Sequence, residues 1–282
     1  MLLANISLVK PKILALVTLV AVASAIVAGG GDFLLSRVVF LVLALGLASA
    51  GASLLNNYLD RDIDAIMERT RNRPLPSKTV APYKIFLAGL ILIAVSLPIA
   101  FRLNYLVALF VLSGALIYVI VYTLWLKRRS VLNIVVGGLA GSCAVLAGWF
   151  AITTQVSATP ILVASLVFLW TPSHFWSLAL AHQESYQKAT IPMLPVLAGM
   201  KRTADYILLS SILLLLVSLL IYFLSPFHKI YLLGSLLLGG LFLASNIRLW
   251  KQPERERAWT NFKLSGIYLL GLFLVMAIDV LV

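Results

Sequence analysis

Apolar residues fall in nine long runs along the chain, and short polar segments separate each run from the next. A run of about 18 or more apolar residues predicts a membrane-spanning helix. A membrane β-barrel would instead show alternating segments of about ten residues, which this sequence lacks. We therefore predict an all-α polytopic membrane protein. The predicted spans are 12–30, 34–55, 82–101, 104–125, 131–153, 159–181, 205–225, 230–249 and 264–281.

Composition agrees with a chain that lies mostly in lipid. Of the 282 residues, 62% are hydrophobic and only 11% are charged, whereas a soluble domain carries about 25% charged residues. The single cysteine, Cys143, lies inside an apolar run, so no disulfide framework is expected and a packing role is favoured. No transit peptide precedes the first run, which favours a prokaryotic plasma membrane over a mitochondrial one.

Basic residues predict the orientation of the protein in the membrane. With the amino terminus in the cytoplasm, 19 of the 22 Lys and Arg residues fall on the cytoplasmic side of the nine predicted spans. This asymmetry is what the positive-inside rule requires. It also accounts for the net charge of +12 without a nucleic-acid partner.

The pattern predicts a single domain over 1–282 with an internal repeat. The two longest inside loops end in "RPLPSK" and "IPMLPV", and each follows the second span of a set of four. Membrane proteins are often built from such repeats, with sites at the interface between them. We predict a four-helix pseudo-repeat, 8–125 and 131–249, followed by a ninth helix, 264–281.

Charge is densest in "LLNNYLDRDIDAIMERTRNRPLPSK", residues 54–78, where the second span ends. If the helix continues, Asn56, Asp60 and Asp64 form one stripe at four-residue spacing, and Asp62 points to the opposite face. Stacked carboxylates destabilise a helix, and near a membrane they need partners. Carboxylate and amide oxygens without thiols favour Mg²⁺ as that partner. The simpler alternative is a charged loop that pairs internally and sets topology.

Basic residues beside this stripe extend the prediction to a phosphate ligand. Arg69, Arg71 and Arg73 follow the carboxylates, and guanidinium groups bind phosphate oxygens well. Acids, Mg²⁺ and arginines together predict a diphosphate site, and its membrane position favours an isoprenoid diphosphate. Tyr118 and Tyr122, one turn apart, are candidates to stabilise an allylic cation, although packing is the commoner role for such a pair.

Four motifs in order resemble a known family between about residues 8 and 202. "NNYLDRDID" resembles the first aspartate-rich motif of the UbiA superfamily of intramembrane prenyltransferases. More narrowly, the protoheme IX farnesyltransferase (heme O synthase) family is similar in "NNYLDRDIDAIMERTRNRP", "YTLWLKRRS", "PSHFWSLAL" and "IPMLPV". "LVKPK" resembles the lead-in to that family's first helix.

This resemblance implies a nine-helix bundle with a lateral cavity and a defined reaction. Farnesyl diphosphate would be the donor and the vinyl group of heme b, a substrate rather than a cofactor, the acceptor; water addition would give heme O and diphosphate. A downstream heme-modifying enzyme or a terminal oxidase assembly is a candidate partner. The implied residues for metal and diphosphate are Asn56, Asn57, Asp60, Asp64, Arg69, Arg73, Lys127 and Arg128, and Tyr122 is a candidate catalytic residue.

The second acidic motif departs from the family pattern. Its run is "HQESY", so His182 takes the basic place, Glu184 keeps one acid, and Ser185 replaces the acid nearest Tyr186. Glu184 is therefore a weaker candidate ligand for a second Mg²⁺, in an acceptor site shared with His182 and Tyr186. His174 in "TPSHFW" is a candidate contact for heme iron or a base, with a hydrogen-bonded structural residue as the alternative.

Three other functions remain open at this point. A UbiA-type enzyme that prenylates an aromatic or quinone precursor would share the first motif, whereas the later motifs favour heme. A transporter usually places ionisable groups at the bilayer midplane, but here they cluster at span ends beside arginines. A heme-binding paralogue that has lost catalysis would carry changes such as Ser185.

Overall fold

The computed structural model describes residues 7–30, 32 and 34–282, and within these residues every regular element is helical. Nine spans in this part of the chain are long and apolar enough to cross a membrane, as the sequence predicts. The helices are Pro11–Gly29 (α1), Leu35–Leu59 (α2), Arg61–Ile66 (α3), Pro82–Phe101 (α4), Tyr105–Leu116 (α5), Asn133–Gly137 (α6), Leu139–Ile152 (α7), Ala158–Ala181 (α8), Gln183–Lys188 (α9), Leu194–Leu224 (α10), Lys229–Lys251 (α11) and Arg255–Leu281 (α12).

Two spans are composite, and two short helices lie outside the spans. Helix α5 continues as a π-helix over Ile117–Leu126, and α6 and α7 together form one span. A 3₁₀ turn, Ser7–Val9, precedes α1. Short helices α3 and α9 directly follow α2 and α8, and they lie in the two loops that the sequence singles out.

Three helices extend beyond the apolar runs that predicted them. Helix α2 ends at Leu59 rather than 55, α10 begins at Leu194 rather than 205, and α12 begins at Arg255 rather than 264. These extensions carry polar and charged residues, which an apolar run does not include. Helix α10 is broken at Gly199, whose φ of 78° lies in the left-handed region that glycine adopts without strain.

Close backbone contacts position the helices that carry the charged motifs. A Cβ on Gly51 of α2 would lie 2.6 Å from the carbonyl oxygen of Gly89 in α4, so the two helices approach to near contact. Small residues at such crossings are typical of membrane bundles. Helix α2 packs most extensively against α4, and α8 packs most extensively against α10, which are equivalent pairs in the predicted pseudo-repeat. The repeat itself remains a prediction.

We call the end of the bundle where α2 and α8 terminate the charged end. There the two loops pack on one apolar cluster. Ile63 of α3 and Met67, which directly follows α3, contribute to it from the first loop, and Tyr186 and Ile191 contribute from the segment that starts at α9. A second cluster joins Leu8 of the 3₁₀ turn to α2, α4 and the loop between them. Both charged loops and the amino-terminal turn are therefore fixed against the bundle.

Candidate functional site

Asn56, Asp60 and Asp64 lie on one buried stripe at the charged end. Their exposed fractions are 2%, 2% and 4%. Helix α2 breaks at Asp60, yet the Asp60 amide donates to the Asn56 carbonyl (2.9 Å) and the Asp64 amide to the Asp60 carbonyl (2.8 Å). The four-residue register therefore continues through the break. Asp62 is exposed on the other side, as the spacing predicts.

The Asn56 amide connects α2 to the π-helix. Its Nδ2 donates to Asp60 Oδ2 (2.8 Å) and to Thr123 Oγ1 (2.9 Å), and its Oδ1 accepts from Lys10 Nζ. Lys10 Nζ also donates to the Tyr118 hydroxyl at 3.0 Å. Burial, with the nearby charges of Arg73 and Lys127, lowers the pKa of Lys10 to about 7. These contacts place a lysine that the sequence analysis did not select directly on the predicted metal stripe.

Two further cations pair with the carboxylates. Lys127 Nζ lies 2.5 Å from Asp60 Oδ2, and Arg73 Nη1 lies 2.7 Å from Asp64 Oδ2 and 3.5 Å from Asn57 Oδ1. The remaining oxygen, Asp60 Oδ1, is buried and makes no hydrogen bond with the described residues. A buried carboxylate oxygen without a donor favours an additional ligand, and this all-oxygen set suits a hard cation such as Mg²⁺.

Other predicted diphosphate contacts lie farther out. Arg128 is exposed and forms a bidentate pair with Asp62 at 2.7 and 2.6 Å. That pairing lowers the pKa of the Asp62 carboxyl. Arg69 and Arg71 are also exposed. Of the predicted basic residues, the structure therefore brings Arg73 and Lys127 to the stripe, whereas Arg128 pairs with a different acid.

The second acidic motif is arranged differently. Glu184 is exposed and pairs with Arg255 of α12, which lowers the pKa of the Glu184 carboxyl. His182 lies close to Arg69 of the first loop, and burial together with that charge lowers the pKa of its imidazole. Tyr186 is buried in the apolar cluster shared with α3. Among the described residues, no three His, Cys, Asp or Glu side chains are grouped to hold a metal, so the metal role of Glu184 remains a prediction.

Aromatic rings cover one side of the stripe. Tyr118 and Tyr122 stack with ring centroids 5.7 Å apart, and Lys127 Nζ lies 5.9 Å from the Tyr122 ring centre. A run of i to i−5 bonds forms the π-helix, and Thr123 Oγ1 also donates back to the Tyr118 carbonyl (2.8 Å). π-Helical turns occur frequently at functional sites because they realign side chains on one face.

His174 lies on α8 in an aromatic setting. Its ring lies 4.2 Å from the Trp170 ring and 4.3 Å from the Phe262 ring, centre to centre. Its Nδ1 is 2.6 Å from Ser265 Oγ, and that hydroxyl donates to the Phe262 carbonyl at 2.7 Å. We assign the His174 tautomer from these two contacts: with the serine proton donated to Phe262, Ser265 Oγ accepts the Nδ1–H of His174. The imidazole therefore carries its free lone pair on Nε2, as metal ligands and general bases require.

Sequence reasoning missed the polar network behind His174. Asn261 Nδ2 donates to Asn246 Oδ1 (3.0 Å) and to Ser177 Oγ (2.9 Å), and Ser173 Oγ donates to Asn246 Oδ1 (3.1 Å). All four residues are buried. The signal was present in the sequence, because polar residues inside apolar spans are unfavourable unless they are paired. The last spans, which carry no family motif, thus contribute Asn246, Asn261 and Ser265.

An apolar cavity of about 450 Å³ lies between α1, α2 and α12. Leu14, Thr18, Val22 and Ile26 line it from α1 at roughly four-residue spacing, and no charged side chain lines it. Leu14 lies one turn beyond Lys10, since its amide donates to the Lys10 carbonyl at 3.1 Å. The cavity therefore starts one helical turn from Lys10, whose side chain contacts Asn56, and extends about 18 Å along α1.

Comparison with known proteins assigns the family. The model of the UbiA prenyltransferase family matches residues 15–273. The chain belongs to the UbiA prenyltransferase family. A protein named protoheme IX farnesyltransferase in Desulforudis audaxviator is 42% identical to it over 280 residues, which is 98% of this chain and 88% of that protein.

Solved structures show the same UbiA fold. A structure reported for digeranylgeranylglyceryl phosphate synthase has a TM-score of 0.83 at 18% identity, over 99% of this chain and 98% of that one. A UbiA homologue from Archaeoglobus fulgidus, bound to GPP and Mg²⁺, has a TM-score of 0.73 at 18% identity, over 97% and 99%. Family membership decides against the transporter that the charged residues left open.

Proposed function

We propose that this UbiA protein is a Mg²⁺-dependent protoheme IX farnesyltransferase, which moves a farnesyl group from farnesyl diphosphate to a vinyl group of heme b. The observation that carries the proposal is the likeness to the Desulforudis audaxviator protein of that name along 98% of the chain. The buried stripe of Asn56, Asp60 and Asp64, flanked by Arg73 and Lys127, supports it with chemistry suited to a diphosphate.

The residues of the stripe fit the implied metal. Asp60, through its unpaired Oδ1, and Asp64 would hold Mg²⁺ with help from Asn56, and Arg73 and Lys127 would bind the diphosphate oxygens. When bound, the metal supplies positive charge that stabilises the leaving diphosphate. The two basic residues add charge-assisted hydrogen bonds to the same group, which are stronger than bonds between neutral partners.

In farnesyl transfer, the stripe and the Tyr118 and Tyr122 rings have different roles. The bond between farnesyl C1 and oxygen breaks, and the diphosphate leaves with the electron pair. Tyr118 and Tyr122 present stacked rings that stabilise the allylic cation through their faces. We propose that the isoprenoid tail lies in the apolar cavity beside α1, which keeps water away from that part of the donor.

His174 is the proposed acceptor-side residue. The vinyl group supplies two electrons for the new carbon–carbon bond, and water then adds to the resulting carbocation with loss of a proton. With its Nδ1–H donated to Ser265, His174 offers Nε2 either to accept that proton or to bind the heme iron. His182, Tyr186 and Glu184 are proposed to border the acceptor, close to Arg69 and α12.

The location of the enzyme follows from the same proposal. We infer a prokaryotic plasma membrane, with the amino terminus and the charged end in the cytoplasm, because that orientation places 19 of 22 basic residues inside. Farnesyl diphosphate is water-soluble at its head and apolar at its tail, so a site at a span end receives both parts. A downstream heme-modifying enzyme or a terminal oxidase assembly would consume the product.

Mass analysis of the porphyrin product tests the proposal. Purified protein in detergent is incubated with heme b, farnesyl diphosphate and Mg²⁺, and the products are separated and weighed. We expect a porphyrin heavier by one farnesyl group and one hydroxyl group, formed only with all three components. In a parallel incubation with an aromatic acid in place of heme b, a prenylated product would identify the alternative UbiA-type enzyme. Heme binding without product would identify the non-catalytic paralogue.

A further inference from the structure

Lys10 lies in the carboxylate site although it precedes the first span. Its Nζ contacts Asn56 Oδ1 and the Tyr118 hydroxyl, and it lies 5.7 Å from the Tyr118 ring centre. Asn56 is separated from Lys10 by 46 residues and Tyr118 by 108. The two contacts therefore join the start of α1 to α2, through Asn56, and to the π-helix, through Tyr118.

The backbone around Lys10 is built to hold this side chain inward. Its φ and ψ of 51° and 66° lie in the left-handed region, which is unfavourable for a residue with a Cβ. The preceding turn is fixed because the Leu8 carbonyl accepts from Asn57 Nδ2 at 2.8 Å, and the Leu8 side chain is buried. Strain that persists at a non-glycine residue beside a site suggests that the site depends on it.

The balance of charges in the site indicates that Lys10 binds an anion. When Lys10 is protonated, which an anionic ligand beside it would favour, Lys10, Arg73 and Lys127 provide three positive charges around the two carboxylates Asp60 and Asp64. The cluster therefore carries one unmatched positive charge in a largely buried setting, where unpaired charge is costly. One Mg²⁺ would raise the surplus to three, which equals the charge of a fully ionised prenyl diphosphate.

We propose that Lys10 is a donor-binding residue that pairs with the diphosphate of the prenyl donor, alongside Arg73 and Lys127. The proposal rests on the proposed function only in taking the donor to be a prenyl diphosphate. Lys10 directly precedes α1, whose first turn reaches the apolar cavity at Leu14. The start of α1 would thus bind the diphosphate of the donor, and the following turns of α1 would contact its prenyl chain.

Binding of an unreactive donor tests the role of Lys10 directly. The full chain in detergent is titrated with farnesyl thiodiphosphate and Mg²⁺, and with inorganic pyrophosphate without divalent metal. Lys10→Met removes the charge, and we expect the Kd for the thiodiphosphate to rise about 10- to 100-fold, the range for loss of a hydrogen bond to a charged group. Pyrophosphate binding should weaken in the same direction, and the affinity for heme b should stay within about twofold.

Lys12 provides the matched control. It is exposed, two residues away, and makes no hydrogen bond with the part of the chain that the structure describes. Lys12→Met should leave both affinities unchanged. Lys10→Gln, a second neutral variant that can still bond to Asn56, should show the same loss as Lys10→Met, whereas Lys10→Arg should retain affinity to within about fivefold.

Two results would overturn the proposal. One is a Lys10→Met or Lys10→Gln protein that binds thiodiphosphate as tightly as the unaltered chain. The other is an equal loss of heme affinity, or an equal loss in Lys10→Arg, since either would mean that Lys10 only supports the fold. If the unaltered chain binds thiodiphosphate but does not prenylate heme, the proposed acceptor fails while the assignment of Lys10 stands.

Discussion

The two acidic motifs follow equivalent spans, yet the acids of the first are buried and the acid of the second is exposed. Asp60 and Asp64 in the first motif are buried and surrounded by Lys10, Arg73 and Lys127. In the second motif, Glu184 is exposed and pairs with Arg255 on α12. An exposed pair of this kind contributes little energy, whereas buried carboxylates are tolerated only with compensating partners.

This contrast shows that burial of the acidic side chains, rather than their number, distinguishes a candidate binding site from a solvated charged loop. Both motifs have a polar residue and an acid at the end of a long helix. Only the first places its acids on the inner face, because α3 continues the register of α2 through Asp60. In the second, α9 turns Glu184 toward α12. Donor binding and ionisation are therefore expected to depend on the first motif far more than on the second.

Neutralising one carboxylate in each motif should give the largest difference. Asp60→Asn removes a carboxylate positioned for both Lys127 and a metal, and we expect kcat to fall about 100- to 1,000-fold, as when one electrostatic contact to a developing charge is lost. Glu184→Gln should change kcat by less than about threefold. Both are measured by heme product formation in detergent, with elution as a folded monodisperse species as the control. Equal losses would contradict the assignment of different roles.

The next largest effect concerns His174, whose Nδ1 bonds to the Ser265 hydroxyl. Ser265→Ala removes the acceptor for His174 Nδ1–H and frees the tautomer, so kcat should fall about 10- to 100-fold. The thiodiphosphate affinity should stay unchanged, because Ser265 does not touch the stripe. Ser265→Thr keeps the hydroxyl and should restore most of the activity.

The heme spectrum separates positioning from general damage in that variant. If His174 binds the iron, Ser265→Ala should shift the Soret band of bound heme, and Ser265→Thr should not. If His174 acts only as a base, the spectrum stays constant and the pH profile of kcat moves. A variant that loses donor affinity as well would show that Ser265 merely supports the bundle.

The sequence was sufficient to predict the spans and the first motif. Apolar runs must be helices in lipid, and a four-residue spacing fixes which side chains share a face. Asn56, Asp60 and Asp64 could therefore be grouped without a structure. Asp62 could be excluded for the same reason.

Contacts between distant segments could not be predicted in this way. The position of Lys10 depends on a left-handed backbone and on packing of Leu8, neither of which has a local pattern. The pairing of Glu184 with Arg255 depends on where α12 begins, and the apolar run placed that start nine residues too late. The pairing of Arg128 with Asp62 likewise joins residues 66 apart in the sequence, and the role of Arg128 at the diphosphate remains a prediction.

A smaller effect is expected from restoring the missing acid of the second motif. Ser185 is half-buried beside Glu184 on α9. Ser185→Asp should leave kcat unchanged or raise it by up to about threefold, because an added carboxylate near Arg255 and Lys188 meets positive charge and not the first stripe. Steady-state turnover at limiting Mg²⁺ is the measurement. A large loss would show that the second motif is packed against substrate in a way that tolerates only a small neutral side chain.

The smallest effect should come from Asp62, the outward-facing acid of the first motif. Its carboxylate forms an exposed bidentate pair with Arg128, and that pair lowers its pKa. A lowered pKa means that the pair stabilises the fold above the unfolded value of about 3.9, and that this contribution disappears as pH falls through the folded pKa. Solvent screening limits it to less than about 1 kcal/mol.

Asp62→Asn should therefore leave turnover at neutral pH within about twofold, and its effect on unfolding should vanish at low pH. Turnover is measured beside Asp60→Asn, and unfolding in detergent is followed by circular dichroism at neutral and acidic pH. The two aspartates are two residues apart and differ in the face that they occupy. If Asp62→Asn were as damaging as Asp60→Asn, total charge in the loop would matter more than burial, and the contrast between the two motifs would lose its physical basis.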